Sequence, residues 1–308
     1  MRIWLPCAFV AALTTAVFAG ERAWYDDWDK RPGAERCRLI ADHLAQEPRR
    51  LHLRSATVRF VDLAPAKPDG DVPWLLIHGY AGNLCDYGAM LARVAEHHRV
   101  LAFDLPGFGE SVGADERYSV YSYMRTLREF IQQIGVERVH LVCHSLGGHV
   151  CIGAALGEPR YIATLTLIDT AGIYEQTDFI KTIAKRTAKL NVGPMGNNPR
   201  RSPLAWTVGE QEFLRRFVVA DPTVMAAVSS FRTNFRSQMG ELRIRTLILW
   251  GMEDPLFPVE DALFLKENVP DSELHIIEQA RHCPIETHPG VVVDMIERFI
   301  RKREDPGP

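Results

Sequence analysis

Val139-His140-Leu141-Val142-Cys143-His144-Ser145-Leu146-Gly147-Gly148 is an apolar, strand-like run that stops at a serine and meets two glycines. A buried strand that ends on a serine and turns into a helix within two residues pushes the hydroxyl out of the turn, where a nucleophile is reachable. The residues two before and two after such a serine are pressed together and should be small. Here they are Cys143 and Gly147. Cysteine is larger than the glycine usual at the first position, so a somewhat crowded turn is expected. Read alone, the stretch is also compatible with an ordinary serine in a glycine-containing loop, and the rest of the chain must decide.

The 308 residues could hold one large α/β domain or two small ones, and can bury a substantial core. A formal charge of −3 argues against nucleic-acid binding, which requires a basic excess or a basic face. There is no repeat and no low-complexity tract. Arg2 precedes an apolar segment from Ile3 to Ala19, closed by the small residues Ala19 and Gly20. Residues 1–20 therefore read as a secretory signal peptide cleaved after Ala19. An uncleaved membrane anchor is the competing reading, since a bilayer span needs about 20 residues and Trp24, Tyr25 and Trp28 suit an interface. The chain is accordingly expected to be exported, periplasmic or secreted, or else anchored by this segment.

Of six cysteines, Cys7 would leave with a signal peptide. The other five, Cys37, Cys85, Cys143, Cys151 and Cys283, are odd in number, so at least one thiol stays unpaired in a monomer. Their spacing shows neither a metal pattern nor a dense disulfide framework. Cys143 and Cys151 read as small core residues.

Outward from the opening stretch, apolar runs alternate with helical periodicity. A helix is expected over residues 35–46, and strands at 55–63, 74–77 and 100–103. The run at 74–77 is continuously apolar, as in a strand buried on both faces. Helices follow at 87–97, 121–134 and 146–156, with a strand at 164–168. The alternation lapses from Ala171 to about Gly240, then resumes with a strand at 246–250, a helix at 259–267, a strand at 273–277 and a closing helix at 291–301. This order predicts a mainly parallel sheet with helices on both faces and ligands beyond the strands' carboxyl ends. The interrupting segment reads as a cap over those ends.

A serine hydroxyl is a poor nucleophile until a base takes its proton, and the base needs an acid to fix its tautomer. Asp254 follows the 246–250 strand in Gly251-Met252-Glu253-Asp254-Pro255, and His282 follows the 273–277 strand in Gln279-Ala280-Arg281-His282-Cys283-Pro284. Asp169, also directly after a strand, is the second candidate acid, and Glu253 a weaker one. His78 and His144 flank the site and fit loop-support roles. His97, His98 and His288 read as exposed or structural, and Asp104 as the organiser of the Pro106-Gly107 loop.

The order Ser145, Asp254, His282 matches that of α/β-hydrolases. Together with His78-Gly79, the Asp104 to Ser111 loop and Cys143 to Gly147, it makes residues 72–301 resemble an α/β-hydrolase-fold serine hydrolase. The likeness is to esterase and lipase members with a helical cap inserted after the sixth strand. The resemblance implies Ser145 as nucleophile, His282 as base and then acid, Asp254 as its orienting partner, and the backbone N–H groups of Tyr80 and Leu146 as oxyanion donors. No metal or organic cofactor is implied. Two departures are Cys143 in place of glycine and Arg281 where a glycine commonly precedes the histidine.

The division expected is a leader at 1–20, a helical extension at 21–54, the core at 55–171 and 241–303, and the cap at 172–240. The reaction expected is carboxylic ester cleavage through an acyl-enzyme, with acylglycerol-like lipids among the substrates. A carbon–carbon bond hydrolase of the same fold and a non-catalytic ligand-binding relative are the alternatives. Between Gly172 and Gly240 ten Lys/Arg stand against five acids. A helix from Asp178 to Leu190 can place Lys181, Lys185 and Lys189 on one face, which suits contact with an anionic membrane surface. A solvated face is the plainer reading of the same charges.

Overall fold

The structure is a computed structural model in which residues 37–38, 47–114, 118–173 and 233–302 are described. Nine strands form one sheet: β1 (Arg49–His52), β2 (Ala56–Leu63), β3 (Trp74–Ile77), β4 (Val100–Phe103), β5 (Val112–Gly113), β6 (Val139–His144), β7 (Ile162–Ile168), β8 (Thr246–Gly251) and β9 (Ser272–Ile277). Their spatial order is β1-β2-β4-β3-β6-β7-β8-β9, with β5 paired to β2. From β4 to β9 every pairing is parallel; β2 is antiparallel to its three partners.

The chain builds outward from β3 to β4 and then crosses back to place β6 on the other side of β3. The strand order therefore reverses between β3 and β6, and in open α/β sheets the carboxyl ends of the strands at such a point are where ligands lie. His78 follows β3 and Ser145 follows β6, so both loops of interest rise at this point.

The continuous apolar runs make sense once the two faces are separated. Side chains alternate across a strand, and in β3 Leu75 and Ile77 face one core while Trp74 and Leu76 face the other. The first core is covered by α2 (Val120–Ile134), α3 (Leu146–Gly157) and α4 (Val259–Asn268). The second is covered by α1 (Gly88–Ala95) and α6 (Pro289–Arg301), which follows the short α5 (Pro284–Thr287). In α2 the buried residues Val120, Tyr123, Leu127, Phe130 and Ile131 recur at helical spacing. That helix starts in a Ser119/Ser122 capping box and ends at Gly135, whose φ of 78° is left-handed.

Two strands, β1 and β5, lie where the sequence reading placed none. Neither has an apolar face to read: β1 is an edge strand of Arg49, Arg50, Leu51 and His52, largely exposed, and charge on an edge resists further pairing. Because of these two, the break in the alternation follows the seventh strand in chain order. The expected helix at 35–46 falls mostly outside the described residues, as do the leader at 1–20 and residues 174–232, including the basic segment at 178–190. Ile173 and Phe235, on either side of residues 174–232, both belong to the first core, and Phe235 N–H donates to the Gly172 carbonyl at 2.9 Å. Among the described residues no helix is long and apolar enough to cross a membrane.

Cysteine pairing departs from expectation. Cys143 and Cys151 are bonded to each other, as are Cys37 and Cys85, and among the described residues Cys283 is left as a buried thiol. Eight residues along the chain said nothing of contact, but the reversal from β6 into α3 brings the Cys143 and Cys151 Cα atoms to 6.5 Å, within disulfide range.

Candidate active site

Ser145 sits between β6 and α3 with φ 52° and ψ −115°. A non-glycine residue holds such a backbone only where its surroundings impose it. Ser145 N–H donates to the Ile168 carbonyl at 3.0 Å, and the Ser145 carbonyl accepts from Ala171 at 3.0 Å and His149 at 3.2 Å. Gly147 presses on the end of β3, so that a Cβ there would overlap the carbonyl oxygens of Ile77 and His78. That close approach is the physical content of the small residue two positions after the serine.

His282, on the loop after β9, reaches across to this turn. Its Nε2 lies 3.0 Å from Ser145 Oγ and its Nδ1 lies 2.8 Å from Asp254 Oδ2. An ionised carboxylate only accepts, so Nδ1 carries the proton and Nε2 is left to accept from the serine hydroxyl. Asp254 Oδ1 accepts from the backbone N–H groups of Leu256 (2.6 Å) and Phe257 (3.0 Å), which aims the other oxygen at the imidazole. The Asp254 side chain is fully buried and that of His282 is 6% exposed. The Phe257 ring closes over the imidazole edge-on at 5.2 Å.

The other candidates fall into supporting positions. Asp169 directly follows β7 and accepts from Gly251 N–H at 2.8 Å. His78 Nε2 accepts from Leu105 N–H at 2.8 Å. Asp104 accepts from Leu84 N–H at 2.7 Å and Glu110 N–H at 2.9 Å, organising the loop after β3 as well as its own Pro106-Gly107 loop. Glu253 is exposed. His144 does something the sequence reading had not specified: its Nε2–H donates to the His282 carbonyl at 2.6 Å. Burial, and then the neighbouring His282, push the His144 pKa down to about 3, which keeps its ring neutral. Nothing in the residue pattern names His282 as its partner, 138 positions away.

Leu146 is the first residue of α3, so its N–H has no partner within the helix. Tyr80 is in the loop that follows β3, the strand beside β6. The atoms of His144, Asp169 and His282 lie within 4.8 Å of one another. The histidine nitrogens named above are already committed to hydrogen bonds, and this cluster is better explained as part of the same network than as a metal site.

The sequence of residues 74–295 matches the model of the alpha/beta hydrolase family, and the chain belongs to that family. It is 27% identical over 230 residues to a 2-hydroxy-6-oxononadienedioate/2-hydroxy-6-oxononatrienedioate hydrolase of Cupriavidus pinatubonensis, covering 67% of this chain and 78% of that one. It is 25% identical over 257 residues to Lipase 1 of Psychrobacter immobilis, covering 76% and 80%. The crystal structure of a putative lipase from Acinetobacter baumannii superposes with a TM-score of 0.72 at 23% identity, covering 89% of this chain and 97% of that one. The fold is thus the alpha/beta hydrolase fold, and the chain is a hydrolase of that family.

Proposed function

We propose that this chain is a serine hydrolase that cleaves carboxylic esters through an acyl-enzyme, with Ser145 as nucleophile, His282 as general base and then acid, and Asp254 as the orienting carboxylate. The observation that carries the reading is the continuous line from Asp254 through His282 to Ser145, at 2.8 and 3.0 Å. As Ser145 Oγ attacks the ester carbon, its proton passes to His282 Nε2. The negative charge on the carbonyl oxygen is received by the N–H groups of Leu146 and Tyr80, and His282 then returns the proton to the departing alcohol. Water repeats the sequence to release the acid.

We take residues 172–240 as the cap, in keeping with the meeting of Gly172 and Phe235 at one edge of the core. Acylglycerol-like lipids are the proposed substrates, reached at a membrane surface through the basic cap or the N-terminal segment. Export or anchoring by residues 1–20 fits two disulfides, since such bonds persist in oxidising compartments.

A fluorophosphonate probe tests the chemistry: it should label the wild-type chain and fail to label Ser145→Ala, and persistent labelling of that variant would overturn the assignment. A series of aryl esters should show activity rising with acyl length; a strong preference for short chains would remove the lipid proposal. Product analysis on dienoic ketoacids tests the carbon–carbon alternative, for which one relative's name speaks.

A further inference from the structure

Two cysteines bracket the proposed nucleophile, and the fold joins them. Cys143 stands two residues before Ser145 on β6, and Cys151 six residues after it on the second turn of α3. Their disulfide closes a ring that contains the whole strand-to-helix turn, and both residues are fully buried against the same core.

The turn needs holding. Ser145 has a left-handed backbone without being glycine, and it keeps that backbone only while strand end and helix start stay fixed relative to each other. The first turn of α3 also carries the Leu146 N–H. Any swing of the helix away from β6 moves Ser145 Oγ relative to His282 and Leu146 N–H relative to the developing oxyanion together. A small residue at position 143 would let strand and helix close by packing. With cysteine there, the extra side chain is itself the connection.

We infer that the Cys143–Cys151 disulfide is a positioning element of the hydrolytic site, a covalent staple that sets the strand-to-helix angle from which Ser145 and the Leu146 N–H take their aim. The inference rests on Ser145 being the nucleophile, as proposed above. The second disulfide supplies the contrast. Cys37 and Cys85 are 48 positions apart, against 8 for Cys143 and Cys151, and a longer closed loop restricts the unfolded chain more. The long bridge should therefore matter more for stability, and the short one for rate.

The test compares three variants of the full chain with wild type: Cys143→Ala/Cys151→Ala, Cys37→Ala/Cys85→Ala, and Cys143→Gly/Cys151→Ala. Three quantities are read: the rate constant for phosphonylation by a fluorophosphonate, kcat and KM on a p-nitrophenyl ester, and Tm. Loss of the short bridge should lower the phosphonylation rate and kcat by about tenfold or more, the scale expected of sub-ångström to ångström misplacement, with KM within about twofold. Loss of the long bridge should leave the rates within about twofold while lowering Tm at least as far. Glycine at 143 should recover part of the lost rate by letting the turn pack.

Wild-type rates in Cys143→Ala/Cys151→Ala would overturn the staple, as would rate losses that simply follow Tm in both bridge variants. If the alanine pair does not fold, the Cys37→Ala/Cys85→Ala chain is refolded with and without a phosphine reductant and its thiols are counted by mass. The form with two additional thiols should then react at least about tenfold more slowly than the form with the bridge closed, and equal rates would overturn the proposal. A wild-type chain that is not phosphonylated at all would instead remove the nucleophile reading beneath it, a distinguishable failure.

Discussion

Asp169 and Asp254 stand at the carboxyl ends of neighbouring parallel strands, both with fully buried side chains, yet they are put to different uses. Asp169 accepts through Oδ1 from the N–H of Gly251, the last residue of β8, so it holds the end of the strand from which the other carboxylate hangs, while its carboxylate stays within 4.8 Å of a His282 nitrogen. Asp254 is carried three residues further by the Gly251-Met252-Glu253 turn. Two backbone N–H groups hold one of its oxygens and the other meets His282. A buried carboxylate after a strand is thus not enough to make a hydrogen-bond partner for His282. What decides is which backbone donors its oxygens meet first.

The largest effect expected from this contrast separates the two acids directly. Asp254→Asn should lower kcat by about 10³ to 10⁴-fold, because an amide can stabilise the wrong imidazole tautomer; steady-state hydrolysis of an aryl ester measures it. Asp169→Asn should stay within about tenfold in kcat and show itself mainly as lost stability, since its Oδ1 accepts from a backbone N–H. A reversal of that ranking would exchange the two roles.

Gly251, which joins them, comes next. A Cβ there would overlap the backbone carbonyls of Ala280 and Arg281 on the loop that carries His282. Gly251→Ala should displace His282 and reduce kcat by about a hundredfold while lowering Tm, read by ester hydrolysis and thermal melting.

A smaller effect concerns pH and identifies which buried groups resist acid. Burial, and for His144 the neighbouring His282, lower the pKa of His144 to about 3, and burial lowers that of His149 to about 4. Both rings stay neutral in the folded chain and take protons when it unfolds below an ordinary value of about 6.5. The unfolded state therefore binds more protons in that window. Stability is full above about pH 6.5 and falls as pH drops toward 4. Denaturant midpoints measured across this range should show the decline in Asp169→Asn and Asp254→Asn as well, and a shallower one in His149→Phe. The smallest effect is at the exposed Glu253, where Glu253→Gln should leave kcat within about twofold, although it is Asp254's neighbour in sequence.

Much of this was legible in the residues because it is local. The elbow at Ser145 could be read from an apolar run ending in Ser-Leu-Gly-Gly, since strand burial and the need for a small residue at 147 are properties of a few neighbours. The strands at 74–77, 100–103 and 246–250 announced themselves by being apolar on both faces. β1 and β5 did not, since an edge of charged residues and a two-residue bridge have no periodicity to detect. The pairing of Cys143 with Cys151 was missed for a related reason: both residues are small and apolar in a core, and their contact depends on the angle at which α3 leaves β6.

By itself the sequence determined the alternation of strand and helix, the small-residue requirement at the elbow, and the order serine, acid, histidine along the chain. These depend on periodicity and on which residue follows which strand end. The tertiary structure alone decided which backbone donors hold each of the two buried carboxylates, that His144 holds the His282 carbonyl from 138 positions away, and that a disulfide spans the turn at Ser145. Each of these is a distance between strand ends, set by sheet order and twist, and no spacing along a chain encodes such a distance until the sheet has formed.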